Sequence, residues 1–147
     1  MRVRALSIKE TEIQNLILDA ISARSKAYAP YSKFKVGAAL LTSSKNIIKG
    51  CNIENASFSP TNCAERTAFF KAISDGISDF KAIAIVGGSE GEADSFSDYA
   101  YPCGVCRQVM REFCDSSFVI IVAKSVTDYK VFTLSELLPE GFGPENL

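Results

Sequence analysis

Cys63 and Glu65 stand two residues apart in the stretch CAERTAFFKAIS, and Cys103 and Cys106 stand three apart in PCGVCRQVMREF. Both stretches read as the front of a helix. Cys103 and Cys106, one turn apart, share a helix face. A helix N-terminus carries partial positive charge, which lowers a thiol pKa and favours thiolate. Two such fronts brought together would hold three thiolates around one soft metal ion. Zinc is the first choice, because it takes thiolates well in four-coordinate geometry. Cys114 lies eight residues beyond Cys106. Along one helix that is roughly 12 Å, too far to share the ion. Cys51 falls in a strand, and spacing alone does not decide whether it closes the shell. Three protein ligands leave one position open for water, the pattern of a catalytic rather than a structural site.

Glu65 supplies the second half of that chemistry. It falls in the first helical turn, where its carboxylate reaches the neighbourhood of the open position. A metal lowers the pKa of a bound water, and an adjacent carboxylate takes the proton and returns it to a leaving group. The chain has no histidine, which removes Ser-His-Asp triads, Cys-His pairs and His-ligated metal sites. Three thiolates on a divalent ion give a net charge of about −1, a poor Lewis acid unless something offsets it. Arg66 is adjacent to Glu65, Arg107 and Gln108 follow Cys106, and a donor from Arg66 to a thiolate sulfur would make the correction. Taken singly, a CxxC pair is also a redox dithiol or half a zinc finger. A shell closed by Cys51 would be a structural zinc module without catalysis.

The length of 147 residues suits one domain over residues 1–147. Charge is mixed, with a net of −1, and no basic stripe suggests nucleic acid. No segment approaches the roughly 20 apolar residues of a membrane helix, and the first residues lack the apolar run of a secretory signal. The expectation is a soluble, cytoplasmic protein whose five cysteines are metal ligands or buried thiols rather than a disulfide framework.

The elements that must position the thiols follow from periodicity. Ser7 to about Ala27 has helical apolar spacing, with Ser7 and Glu10 as a capping box, and Pro30 ends it. FKVGAALLT, Phe34 to Thr42, reads as a buried strand, and NIIKGCNIEN as its hairpin partner. Thr61 or Asn62 can cap a helix from Cys63 to Asp75-Gly76. FKAIAIVGG is a central strand. The polar stretch GGSEGEADSFSDYAYP reads as a flexible functional or solvent loop. A helix from Cys103 to about Asp115, the strand FVIIVA, an edge strand YKVFTL and a short last helix capped by Thr133 complete the chain. This order predicts an α/β fold, a three-layer α/β/α sandwich around a mixed sheet of about five strands.

YAPYSKFKVGAALLT, GCNIENASFSPTNCAERTAFFKAIS, PCGVCRQVMREF and LSELLPEGFG run across nearly the whole chain. A ligand two before a glutamate, followed by P-C-x-x-C, is the zinc deaminase pattern. The sequence resembles the cytidine deaminase family, in its small homotetrameric form with three cysteine ligands. That resemblance implies one zinc per chain on Cys63, Cys103 and Cys106, Glu65 as proton shuttle, and Arg66 bonded to ligand sulfurs. It implies Asn52 and Glu54 as partners of the sugar hydroxyls, Phe34 and the backbone of Ala64 at the base, and Phe142 reaching a neighbouring subunit's site. In CNIE, strand alternation also puts Asn52 and Glu54 on one face. The implied reaction is hydrolysis of cytidine or 2′-deoxycytidine to the uridine product and ammonia. A deaminase of another aminated heterocycle, such as blasticidin S, would share the zinc chemistry, but NIENAS argues for a nucleoside sugar.

Overall fold

The structure is a computed structural model and describes residues 8–147. Helix α1 runs Glu10–Arg24, shorter at both ends than its periodicity suggested. Ser7 of the expected capping box lies outside the described residues, and Glu12 does the capping instead: its carboxylate accepts the Lys9 N–H at 3.2 Å. Ile13, Leu16, Ile17, Ala20 and Ala23 form the buried stripe.

Five strands follow: β1 Phe34–Thr42, β2 Ile47–Cys51, β3 Phe80–Ser89, β4 Val119–Ala123 and β5 Tyr129–Thr133. They form one sheet in the order β2-β1-β3-β4-β5. The β3–β4 pair is parallel and the others are antiparallel. A parallel pair needs a crossover, and helix α3, Gly104–Phe113, provides it. Helix α2, Ala64–Ser74, joins β2 to β3, and α4 is the short Leu134–Leu137.

Both faces of the sheet are covered, which explains why β1, β3 and β4 read as apolar runs rather than alternating ones. Ala39, Leu41, Ala82, Ala84, Val86 and Ile121 pack with α1. The alternate residues Ala38, Leu40, Ile83, Ile85 and Ile120 pack with Phe69 and Met110, from α2 and α3. This is the three-layer mixed arrangement expected from the element order. Among the described residues, no helix is long and apolar enough to cross a membrane.

Two glycines set how closely the helices approach. A Cβ on Gly37 would lie 2.5 Å from the Arg24 nitrogen, and one on Gly50 would lie 2.5 Å from the Ala68 nitrogen. Both helix backbones therefore rest on bare strand, which only glycine allows.

Three expectations change. β2 ends at Cys51, and the chain beyond it makes isolated bridges from Ile53 to Tyr28 and to Asn62. Neither Thr61 nor Asn62 is the cap of α2, whose N-cap is Cys63. The Asn62 amide instead donates to Thr67 at 3.2 Å. The polar stretch after β3 is not loose. The Glu92 carboxylate accepts the N–H groups of Ser89 and Ser97, each at 2.9 Å. Phe96 is buried, and Tyr99 donates to Asp128 at the β5 side.

Candidate active site

Cys63 and Cys103 occupy equivalent positions: each is the N-cap residue of its helix, with extended backbone. Their side chains therefore sit where helix N–H groups lack intrahelical partners. Cys106 is buried one turn into α3. The sulfurs of Cys63 and Cys103 are 3.8 Å apart, and those of Cys103 and Cys106 are 3.6 Å apart. Ligands at about 2.3 Å around a tetrahedral ion lie about 3.8 Å from one another. The three thiols thus fit one zinc per chain, and among the described residues they are the cluster that could hold a metal. Cys51 is not part of it. It borders a separate hollow with Ser22, Lys26 and Lys71, so no four-cysteine shell forms. Cys114 caps the far end of α3, where burial pushes its thiol up to about 12.

The cluster's electrostatics follow from its neighbours. The hydrogen bond with Cys106 brings the Cys63 thiol down to about 5 against the opposing effect of burial, and Arg66 adds to the lowering. The same shared hydrogen bond holds the Cys106 proton in place. Arg66 Nη2 donates to Cys63 Sγ at 3.3 Å. Burial works against the Arg66 cation, but its bonds to the Cys63 and Cys106 sulfurs raise its pKa. Its Nε is buried without a hydrogen-bond partner, a donor suited to a sulfur that carries full charge. Arg107 and Gln108 do not serve the sulfurs. Arg107 ties Pro102 to Leu137 with two bonds of 2.7 Å, and Gln108 donates to the Phe142 carbonyl at 2.9 Å.

Glu65 is 4% exposed on the first turn of α2. Burial, with the Cys63 charge adding to it, pushes its carboxyl up to about 7. A cleft of about 250 Å³ opens onto it, lined by Cys63, Cys103, Ala64, Glu65, Phe34, Asn52 and Glu54 among others.

Residues 10–122 match the family model for the cytidine and deoxycytidylate deaminase zinc-binding region. The chain belongs to the cytidine deaminase family. It is 48% identical over 136 residues to the cytidine deaminase of Sporosarcina psychrophila, spanning 92% of this chain and 95% of that one. Identity to the cytidine deaminase of Halalkalibacterium halodurans is 48% over 134 residues, 91% and 96% of the two chains. A crystal structure of cytidine deaminase from Burkholderia pseudomallei superposes with TM-score 0.78 at 45% identity, covering 87% of this chain and 97% of that one. The cytidine deaminase structure from Mycobacterium tuberculosis gives 0.73 at 35% identity, with coverages of 88% and 96%.

Within this cytidine deaminase fold, Asn52 and Glu54 share the cleft although the strand does not continue through them. Asn52 is clamped to β1: its Oδ1 accepts from Val36 N–H at 2.8 Å, and its Nδ2 donates to the Phe34 carbonyl at 2.9 Å. Glu54 accepts the Tyr31 and Ser32 N–H groups at 3.0 and 3.2 Å. The Ser32 hydroxyl and these N–H groups hold its carboxyl below its ordinary value. Phe142 is not brought into this cleft. It is 58% exposed and borders a different hollow with Arg111 and Leu134. Val36, Thr61, Asn62, Ile85, Ala100 and Tyr101 also line the cleft and were missed by sequence reasoning. Val36 had a usable signal, being two residues from Phe34 on the same strand face. Ala100 and Tyr101 directly precede Pro102-Cys103 but sat in a stretch read only as loop.

Proposed function

We propose that this chain catalyses the hydrolytic deamination of cytidine and 2′-deoxycytidine, consuming water and giving uridine or 2′-deoxyuridine and ammonia. The observation that carries the reading is the shared cleft: Cys63 and Cys103, two of the three clustered thiols, line it together with the buried carboxyl of Glu65, the amide of Asn52 and the carboxylate of Glu54. Cys63, Cys103 and Cys106 would hold the zinc, which when bound would lower the pKa of the attacking water.

This chain's residues do the rest. Glu65 takes the water proton at its carboxylate and delivers it to ring N3 as the water oxygen bonds to C4; it then moves the proton of the new C4 hydroxyl to the amine, which leaves as ammonia while the C4 carbonyl forms. Asn52 and Glu54 hold the sugar hydroxyls, Phe34 and the Ala64 backbone border the base, and Arg66 draws charge from Cys63. Asn52 keeps one N–H and one lone pair beyond its two bonds to β1, so the clamp leaves it capable of binding. Its anchored position makes it a preorganised partner.

The chain acts as a homotetramer in the cytoplasm, where thiol ligands stay reduced. Phe142, exposed and outside its own cleft, is available to a neighbouring subunit. The sugar-binding pair favours cytidine over blasticidin S as substrate. The position of Cys51 outside the cluster disfavours a closed structural zinc site.

The deciding experiment is the ultraviolet spectrum of cytidine incubated with zinc-loaded protein. Steady conversion to uridine is expected. No conversion, with one zinc bound per chain, would overturn the reading. Sedimentation of the zinc-loaded protein checks the assembly, and a monomer would remove the role given to Phe142.

A further inference from the structure

We infer that Arg24 is a positioning residue, which aligns one wall of the cleft from the opposite face of the sheet. The inference rests on the deaminase reading above. Arg24 ends α1 and is only 6% exposed. Its Nε donates to the Lys35 carbonyl at 3.0 Å, and its Nη1 to that of Glu92 at 2.7 Å. Its Nη2 reaches the carbonyls of Gly88 at 3.0 Å and Ser89 at 2.6 Å. The guanidinium also lies 4.7 Å from the centre of the buried Phe96 ring.

Lys35 and Gly88 are direct partners in the β1–β3 ladder, flanked by the pairs Phe34–Ser89 and Val36–Gly87. Successive residues point to opposite faces. On one face, a Cβ at Gly88 would meet the Phe96 ring and the Glu92 carboxylate. On the other, a Cβ at Gly87 would lie 2.9 Å from Ala100 Cβ and 3.0 Å from Phe34 Cε1. Phe34, Val36 and Ala100 line the cleft. Arg24 therefore grips the back of the strand pair whose front forms the cleft wall. The same fork holds the Ser89–Glu92 turn, the start of the segment that delivers Ala100, Tyr101 and finally the ligand Cys103. Asn52 binds β1 at Phe34 and Val36, so the grip extends to the residue assigned to the sugar. A lysine has no fork with which to bond these carbonyls together.

The test is steady-state kinetics on zinc-loaded Arg24→Lys, well below its unfolding temperature. Displacing a binding wall without moving the reacting groups raises KM more than it lowers kcat. The expected result is a KM for cytidine raised about 10-fold, with kcat within about threefold and zinc still at one per chain. Wild-type KM in a variant of lowered Tm would make Arg24 a stability residue only and overturn the inference. A loss confined to kcat would overturn it too. If Arg24→Lys does not fold, Arg24→Gln, which keeps one amide donor toward these carbonyls, takes its place, and an unchanged KM there overturns the inference. A wild-type protein that fails to convert cytidine overturns the deaminase reading itself. An unchanged KM in an active variant overturns only the role of Arg24.

Discussion

Arg66 and Cys63 share the front of α2, and the Arg66 guanidinium donates to the Cys63 sulfur at 3.3 Å. The bond places a fixed positive charge against a cluster whose thiolates outnumber the charge of a divalent ion. Replacing Arg66 by Gln removes that charge and leaves the ligands intact. Zinc affinity is expected to fall about 10- to 100-fold, measured by competition with a chromophoric chelator. Unaltered affinity would show that the helix N-termini offset the charge by themselves.

Glu65→Gln keeps the size of the side chain and loses its capacity to accept a proton. The variant should retain zinc and fold, with kcat for cytidine reduced about 10²- to 10⁴-fold. A near-normal rate would sink the proton-shuttle role, because no histidine exists to substitute.

Gly50 lies beneath the first turn of α2, and a Cβ there would press on the Ala64 carbonyl and come within 2.5 Å of the Ala68 nitrogen. Ala64 stands between Cys63 and Glu65, so the helix cannot retreat without moving both. Gly50→Ala should cost about 1–3 kcal/mol of stability and reduce zinc occupancy together with activity. Thermal unfolding with and without zinc checks both, and a variant that holds zinc as well as wild type would disprove the coupling.

Acid stability should depend on Glu92. The Ser97 hydroxyl, the N–H groups of Ser89 and Ser97, and the Arg24 cation hold its carboxyl below the ordinary value. Its pKa is lower in the folded chain than in the unfolded one, so the unfolded state binds more protons in acid. The contribution is complete above the ordinary glutamate value of about 4.3 and is lost as pH falls through the lowered one. Tm followed from pH 7 to 3 should fall less steeply in Glu92→Gln than in wild type. Parallel curves would mean that the turn is held without its charge.

Local residue patterns carried the three clustered thiols, Glu65 as the proposed acid, and the layer order. Cys63, Glu65, Cys103 and Cys106 were legible because helix-front positions and one-turn spacing are local properties. β1 was read to the residue because both of its faces are covered and its run from Val36 to Leu41 holds no polar side chain before Thr42. Cys51 and Asn52–Glu54 were harder: the first is placed outside the thiol cluster only by the fold, and the second pair shares the cleft through bridges to Tyr28 and Asn62 rather than through a continuing strand.

The remaining features exist only in the folded chain. The stretch after β3 read as a loose loop because its composition is polar, and polar residues carry no periodic signal when their partners are distant. Arg24 meets the Glu92 carbonyl across 68 residues of sequence. Its neighbours in sequence give no sign of these partners. What makes it a buried clamp is the close approach that Gly37 permits between α1 and β1, together with a cluster of carbonyls that exists only once β1 and β3 have paired.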